Sequence, residues 1–89
     1  MAYVSRLLMF IKVAEHLSFS RAATDLGMSQ SAVSKAISLM EDELGVRLLE
    51  RTSRSVDLTR AGRAYLPHAR NIVRLLTEAK AEVRQMSNR

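Results

Sequence analysis

Apolar residues at Val4, Leu7, Leu8, Ile11 and Ala14 recur at helical spacing, with Tyr3 and Phe10 on the flank. They make one face, so a first helix is predicted over residues 3–15. The run Leu17-Ser18-Phe19-Ser20 breaks the period, and Ser20 offers an N-cap for a short second helix through Ala22, Ala23 and Leu26. Gly27 can close that helix in the left-handed conformation. Ser29 is placed to cap a third helix whose inner face holds Ala32, Val33, Ala36, Ile37, Met40 and Leu44, and Gly45 ends it. Two helices joined by about three residues with a glycine read either as a helix-turn-helix or as part of a plain three-helix bundle.

Beyond Gly45, Leu48 and Glu50 alternate around Leu49, and Val56 and Leu58 alternate around Asp57. Two short strands flanking a polar turn at 51–55 are predicted, a hairpin that must lean on the helices for stability. Thr59 then caps a last helix. Within it Tyr65, Ala69, Ile72, Leu76, Ala79, Val83 and Met86 follow a 4-3-4-3-4-3 spacing, which is the seam of a helix packed on another helix. Leu66, Val73 and Leu75 widen the stripe. A helix over 60–86 would be roughly 40 Å long at ~1.5 Å per residue. A chain of 89 residues cannot cover such a rod, so the far half calls for a partner, most simply a second copy. Pro67 removes a backbone bond to residue 63, so either a bend or a junction of two helices is expected there.

Composition narrows the classes. With no cysteine, neither a disulfide scaffold nor a thiolate zinc site can form, and His16 and His68 lack ligand-like spacing. No metal or cofactor is expected. Arg6 and Lys12 interrupt the N-terminal apolar stretch, and no run is long enough to span a bilayer. The expectation is a soluble cytoplasmic protein with no membrane partner.

The net charge of +5 is unevenly spread. Residues 1–46 carry four basic side chains against five acids, whereas residues 47–74 carry seven arginines against only Glu50 and Asp57. A concentrated arginine patch suits a polyanion. The outer face of the third helix is Gln30, Ser31, Ser34, Lys35 and Ser38. Serine is a poorer helix former than the Glu, Lys and Arg of an ordinary solvated face. Small side chains let a helix approach a surface closely, and Gln30 and Lys35 can reach base edges or phosphates. The turn Arg51-Thr52-Ser53-Arg54-Ser55 has two arginines, three hydroxyls and no acid. It reads as a wing that grips phosphate or enters a minor groove, or more simply as a basic solvent loop.

An enzyme would need converging acids, bases or a nucleophile. Glu41, Asp42 and Glu43 are consecutive and share no helical face; Glu41 is expected to be solvated or paired between helices, and the other two to face water. His16 is expected at a helix end or the surface, and His68 partly buried beside the seam. No catalytic residues are assigned. A protein-interaction or RNA-binding module is the stronger alternative, although an A-form major groove is too narrow for a reading helix.

Three segments carry a family resemblance: SFSRAATDLGMSQSAVSKAI, ELGVRLLER and the LTRAG that opens the last helix, followed by PHARNIV. Across about residues 3–80 the chain resembles the N-terminal DNA-binding domain and linker helix of LysR-type bacterial transcriptional regulators. The resemblance implies a mainly α fold, a winged helix-turn-helix of three helices plus a two-stranded wing over 1–58, followed by a long dimerisation helix over 59–89. It implies sequence-specific binding of double-stranded DNA as a homodimer. Ser29, Gln30, Ser31, Ser34 and Lys35 would lie at the major groove, with Ser38 further along the same face. Arg54 would lie at the minor groove, with Ser53 beside it, and Arg51 on the backbone. Ala22 and Ala23 would set how closely the two helices cross.

Members of that family continue into a large domain that senses a small molecule and sets higher oligomeric state. An inducer would therefore act only through a domain absent from these 89 residues, and the chain is expected to be a truncated piece or an unusually short member. Two copies of the Gln30–Ser38 face in a symmetric dimer predict an interrupted inverted repeat, with a T…A core implied by the resemblance. Three positions depart from the family pattern. Ser31 stands where proline is usual, Lys35 replaces the rigid fork of an arginine, and Leu49 replaces a phenylalanine under the wing.

Overall fold

The structure, a computed structural model, describes residues 2–87. Helix α1 spans Ala2–His16, α2 Phe19–Leu26, α3 Gln30–Leu44 and α4 Arg60–Ser87, with strands β1 (Leu49–Arg51) and β2 (Val56–Leu58) between α3 and α4. The strands pair antiparallel, placing Leu49 opposite Leu58 and Arg51 opposite Val56. Three helices, a two-stranded wing and a long final helix make the fold mainly α, as the pattern of apolar positions predicts.

The core gathers Leu7, Phe10, Ile11 and Val13 from α1, Phe19, Ala22 and Ala23 from α2, Val33, Ile37 and Met40 from α3, and Leu48 and Leu49 below the wing. Leu8, expected on the inner face of α1, is instead exposed, because Phe10 and Val13 complete the stripe on the other side. Leu49 is fully buried and fills the space under the wing.

Three helix ends follow the expected capping. Gly27 (φ 65°) and Gly45 (φ 73°) close α2 and α3 in the left-handed conformation, and the Ser29 hydroxyl accepts from the Ala32 N–H at 3.1 Å. The start of α2 differs from the expectation. Its cap is Ser18, whose hydroxyl accepts from the Arg21 N–H, while Ser20 lies within the first turn. Leu17 makes the turn from α1 with φ 51°, a left-handed conformation that usually calls for glycine, and with leucine there no glycine marks the boundary in the sequence.

The inner row of α3 also departs at its end. Leu44 is exposed, and the inward position one helical turn beyond Ile37 belongs to Glu41, only 8% exposed. Neither solvated nor paired with another helix, its carboxylate accepts from the N–H groups of Leu48 (2.8 Å) and Leu49 (3.2 Å). Burial of that carboxylate is offset by these two bonds and by Arg47, whose Nε lies 3.8 Å away.

Helix α4 runs as one helix through Pro67, so a junction of two helices does not occur. Thr59 caps it as expected: its hydroxyl accepts from the Gly62 N–H (3.0 Å) and donates to the Arg47 carbonyl (2.6 Å). Gly62 is buried where α4 crosses the start of the wing; a Cβ there would stand 2.1 Å from the Leu48 carbonyl oxygen. Ala61, Tyr65, Leu66, Ala69 and Val73 pack into or against the same core, so the core continues past residue 58 into the first half of α4. From Thr77 to Ser87 every residue is exposed.

Candidate nucleic-acid interface

Capping by Ser29 and packing of Val33 and Ile37 orient α3 so that its opposite face points outward. Ser29, Gln30, Ser31, Lys35 and Ser38 are exposed there, and Ser34 is half-buried. The face meets the expectation of small polar side chains with one cation.

The wing tip is held by its own hydroxyls. Thr52 Oγ1 accepts from the N–H groups of Arg54 (3.2 Å) and Ser55 (3.0 Å), and the Thr52 N–H donates to the Ser55 carbonyl (2.9 Å). This turn leaves Ser53 and Arg54 exposed at its apex. A shallow groove runs from the start of α2 to the tip, lined among others by Ser18, Ser20, Gln30, Ser53 and Arg54. Residues distant in sequence, Gln30 and Arg54, thus line one surface.

Arg51 is differently placed from the rest of the wing. Its guanidinium stacks 4.1 Å above the Phe19 ring and donates through Nη1 to Ser34 Oγ at 2.9 Å. Wing, α2 and α3 meet at this side chain. Phe19, which the sequence reading did not single out, thus carries the wing arginine, and Ser34, on the outward face of α3 as expected, accepts from it. An aromatic opening a helix directly after its cap is the signal that could have found Phe19.

The histidines fall outside this surface chemistry. His16 Nε2 lies 2.6 Å from Asp25 Oδ2, joining the end of α1 to α2. The hydrogen bond from His16 holds the Asp25 carboxyl below its ordinary value against the opposing effect of desolvation, with the charges of His16 and Lys12 contributing less. His68, expected to be partly buried, is exposed. Among the described residues no group of three His, Cys, Asp or Glu side chains converges on a metal-sized site. None of the described helices is long and apolar enough to cross a membrane.

The seam of α4 divides in two. Ala69 is fully buried within its own chain, and Tyr65 packs on Phe10 with ring centroids 5.8 Å apart while its hydroxyl bonds that of Tyr3 at 2.7 Å. Both were expected in the dimer seam; Tyr65 packs on α1 of the same chain and Ala69 is buried in the same chain's core. Ile72, Ala79, Val83 and Met86 remain exposed and Leu76 half-buried, an apolar stripe left uncovered by this chain.

A reading-type helix capped by serine, a short second helix crossing it and an arginine-bearing hairpin alongside define a winged helix-turn-helix domain. The chain belongs to the LysR family of bacterial regulatory helix-turn-helix proteins, whose family model matches residues 4–63. It is 55% identical over 74 residues to the HTH-type transcriptional regulator ShiR of Corynebacterium glutamicum (strain R), an alignment covering 83% of this chain and 25% of that protein. The chain thus spans about a quarter of the length of the curated relatives it matches. Among solved structures, the CbnR_DBD–DNA complex superposes with a TM-score of 0.89 at 37% identity, covering 94% of this chain and 97% of that one. The complex of BenM_DBD with catB site 1 DNA gives a TM-score of 0.90 at 31% identity, covering 94% and 93%.

Proposed function

We propose that this chain binds double-stranded DNA sequence-specifically as a homodimer and forms the DNA-reading part of a bacterial transcriptional regulator. The observation that carries the reading is the groove that Gln30, at the start of the exposed polar face of α3, shares with Ser53 and Arg54 of the wing tip. Helix α3 enters the major groove, where Gln30 can pair with a base edge in two hydrogen bonds. Ser29, Ser31 and Ser34 let its backbone approach closely. Lys35 supplies a mobile point charge in place of a planar fork. Arg54 reaches the minor groove or the phosphates flanking it. The CbnR_DBD and BenM_DBD structures, in which domains of this fold were crystallised with DNA, support the reading.

The uncovered stripe Ile72, Leu76, Ala79, Val83 and Met86 is the dimer seam in this reading. A symmetric pair then reads two half-sites in opposite orientation, an interrupted inverted repeat. A small-molecule inducer and higher oligomers belong to a longer protein, as the fourfold greater length of the relatives suggests. Its target places it in the bacterial cytoplasm.

Competition between duplex DNA and duplex RNA of matching sequence tests the function. The chain is expected to prefer a selected DNA site over both the RNA and an unrelated duplex by about a thousandfold or more. Equal competition by RNA would transfer the surface to an RNA-binding role.

A further inference from the structure

The backbone of residues 47–49 is bonded on both sides. Its N–H groups at Leu48 and Leu49 donate to the Glu41 carboxylate of α3. Its carbonyls at Arg47 and Leu48 accept from the hydroxyl and the N–H of Thr59, the cap of α4. Gly62 lets the first turn of α4 lie directly against the Leu48 carbonyl. The α3–wing segment and the dimer helix are therefore fastened to one tripeptide, and Glu41 is the α3 side chain that accepts hydrogen bonds from it.

We propose that Glu41 is a positioning residue that fixes the angle between the groove-facing helix and α4, and thereby the half-site spacing a dimer accepts. The inference rests on the DNA-binding dimer proposed above. Its leverage comes from length. Helix α4 has 28 residues, roughly 40 Å at ~1.5 Å per residue, so a change of about 5° at its root moves its far end by about 3.5 Å. That is the rise of about one base pair, ~3.4 Å along the duplex. Without the carboxylate, the two N–H groups lose their buried acceptor, and the tripeptide keeps only its apolar packing against α3 to set its orientation. Glutamine keeps a carbonyl oxygen at the same reach to accept both N–H groups, without the charge that attracts Arg47 and with an amide NH2 in place of the second oxygen.

The experiment measures affinities of wild type, Glu41→Ala and Glu41→Gln for duplexes whose inverted half-sites are spaced in steps of one base pair. The readout is the ratio between the best spacing and its neighbours, in which any uniform loss of half-site affinity cancels. Wild type is expected to discriminate by about tenfold, the scale of one misplaced base-pair contact. Glu41→Ala should flatten that ratio below about threefold or move the optimum, and Glu41→Gln should restore it. A helical, dimeric Glu41→Ala protein with the wild-type spacing profile would overturn the proposal. If Glu41→Ala does not fold, Thr59→Val, which removes both the bond to the Arg47 carbonyl and the cap on the Gly62 N–H, must shift the profile while Thr59→Ser preserves it; an unshifted Thr59→Val profile overturns the proposal equally. Wild type that binds no duplex at all would refute the DNA-binding reading itself, a result distinct from binding with unchanged spacing preference in the variants.

Discussion

The guanidinium of Arg51 lies 4.1 Å above the ring of Phe19, so the first residue of α2 serves as a platform for the last residue of β1. The same guanidinium donates to Ser34 on the groove face of α3. An arginine expected to grip phosphate is thus already engaged by α2 and α3 of its own domain, and it ties the wing to both helices. Replacing it with alanine removes an exposed cation–π contact and a charged hydrogen bond. The expected loss is about 1–2 kcal/mol in denaturant unfolding. Arg51→Lys keeps the charge but neither stacks nor donates in the same fork, and should fall between wild type and alanine.

Gln30 and Arg54 line one groove yet should fail differently. Arg54→Ala is expected to weaken binding to all duplexes and reduce the salt dependence of log affinity by up to about one unit, as for one phosphate contact. Gln30→Ala should relax base preference, costing about 1–3 kcal/mol of discrimination. Fluorescence titrations over a salt series with matched and mismatched duplexes separate the two. Uniform loss on every sequence for Gln30→Ala would remove it from the reading set.

Gly62→Ala offers a test by sign. On an exposed helix the change would stabilise by about 1 kcal/mol. Here the new Cβ would stand 2.1 Å from the Leu48 carbonyl and 3.0 Å from Leu58 Cδ2, so α4 must lift from the wing. Net destabilisation of about 1–3 kcal/mol is expected from thermal or denaturant melts. A stabilised variant would contradict close docking of α4.

The Tyr65 phenol is pushed up to about 12, first by burial and then by its hydrogen bond to Tyr3, with the charges of Tyr3 and Glu43 adding to the shift. A raised value means that the fold favours the neutral phenol. That stability is complete below the ordinary value near 10, and is lost as pH rises through about 12. Tyr3→Phe should lower the value while leaving the effect of burial, and it leaves Tyr65 as the single tyrosine, so phenolate absorbance reports it alone. An unchanged value in Tyr3→Phe would show that burial and the Glu43 charge set the shift without Tyr3.

Much of this architecture was legible because the periodicities are local. Helix caps at Ser29 and Thr59, and glycine closures at 27 and 45, follow from residue type and position. What escaped depends on neighbours distant in sequence. A heptad spacing says that Tyr65 and Ala69 are covered, but not whether the covering helix is α1 of the same chain or α4 of another. Glu41 hid in an acidic triplet. Its signal lay seven residues on, where the N–H of Leu48 enters the core with no strand partner and requires an acceptor. Ser18 outcompeted Ser20 as a cap because Leu17 accepts a left-handed turn that its side chain disfavours. At the groove face, residue types marked Gln30 and Arg54, whereas the engagement of Arg51 required the position of Phe19.

Paired reading of duplex DNA is the claim on which the account turns, and selection from a random duplex pool tests it most directly. Sequencing of the bound fraction is predicted to return two half-sites in opposite orientation, held at a fixed interval of at least about one helical turn. Enrichment of a single isolated half-site, or of none, would contradict it.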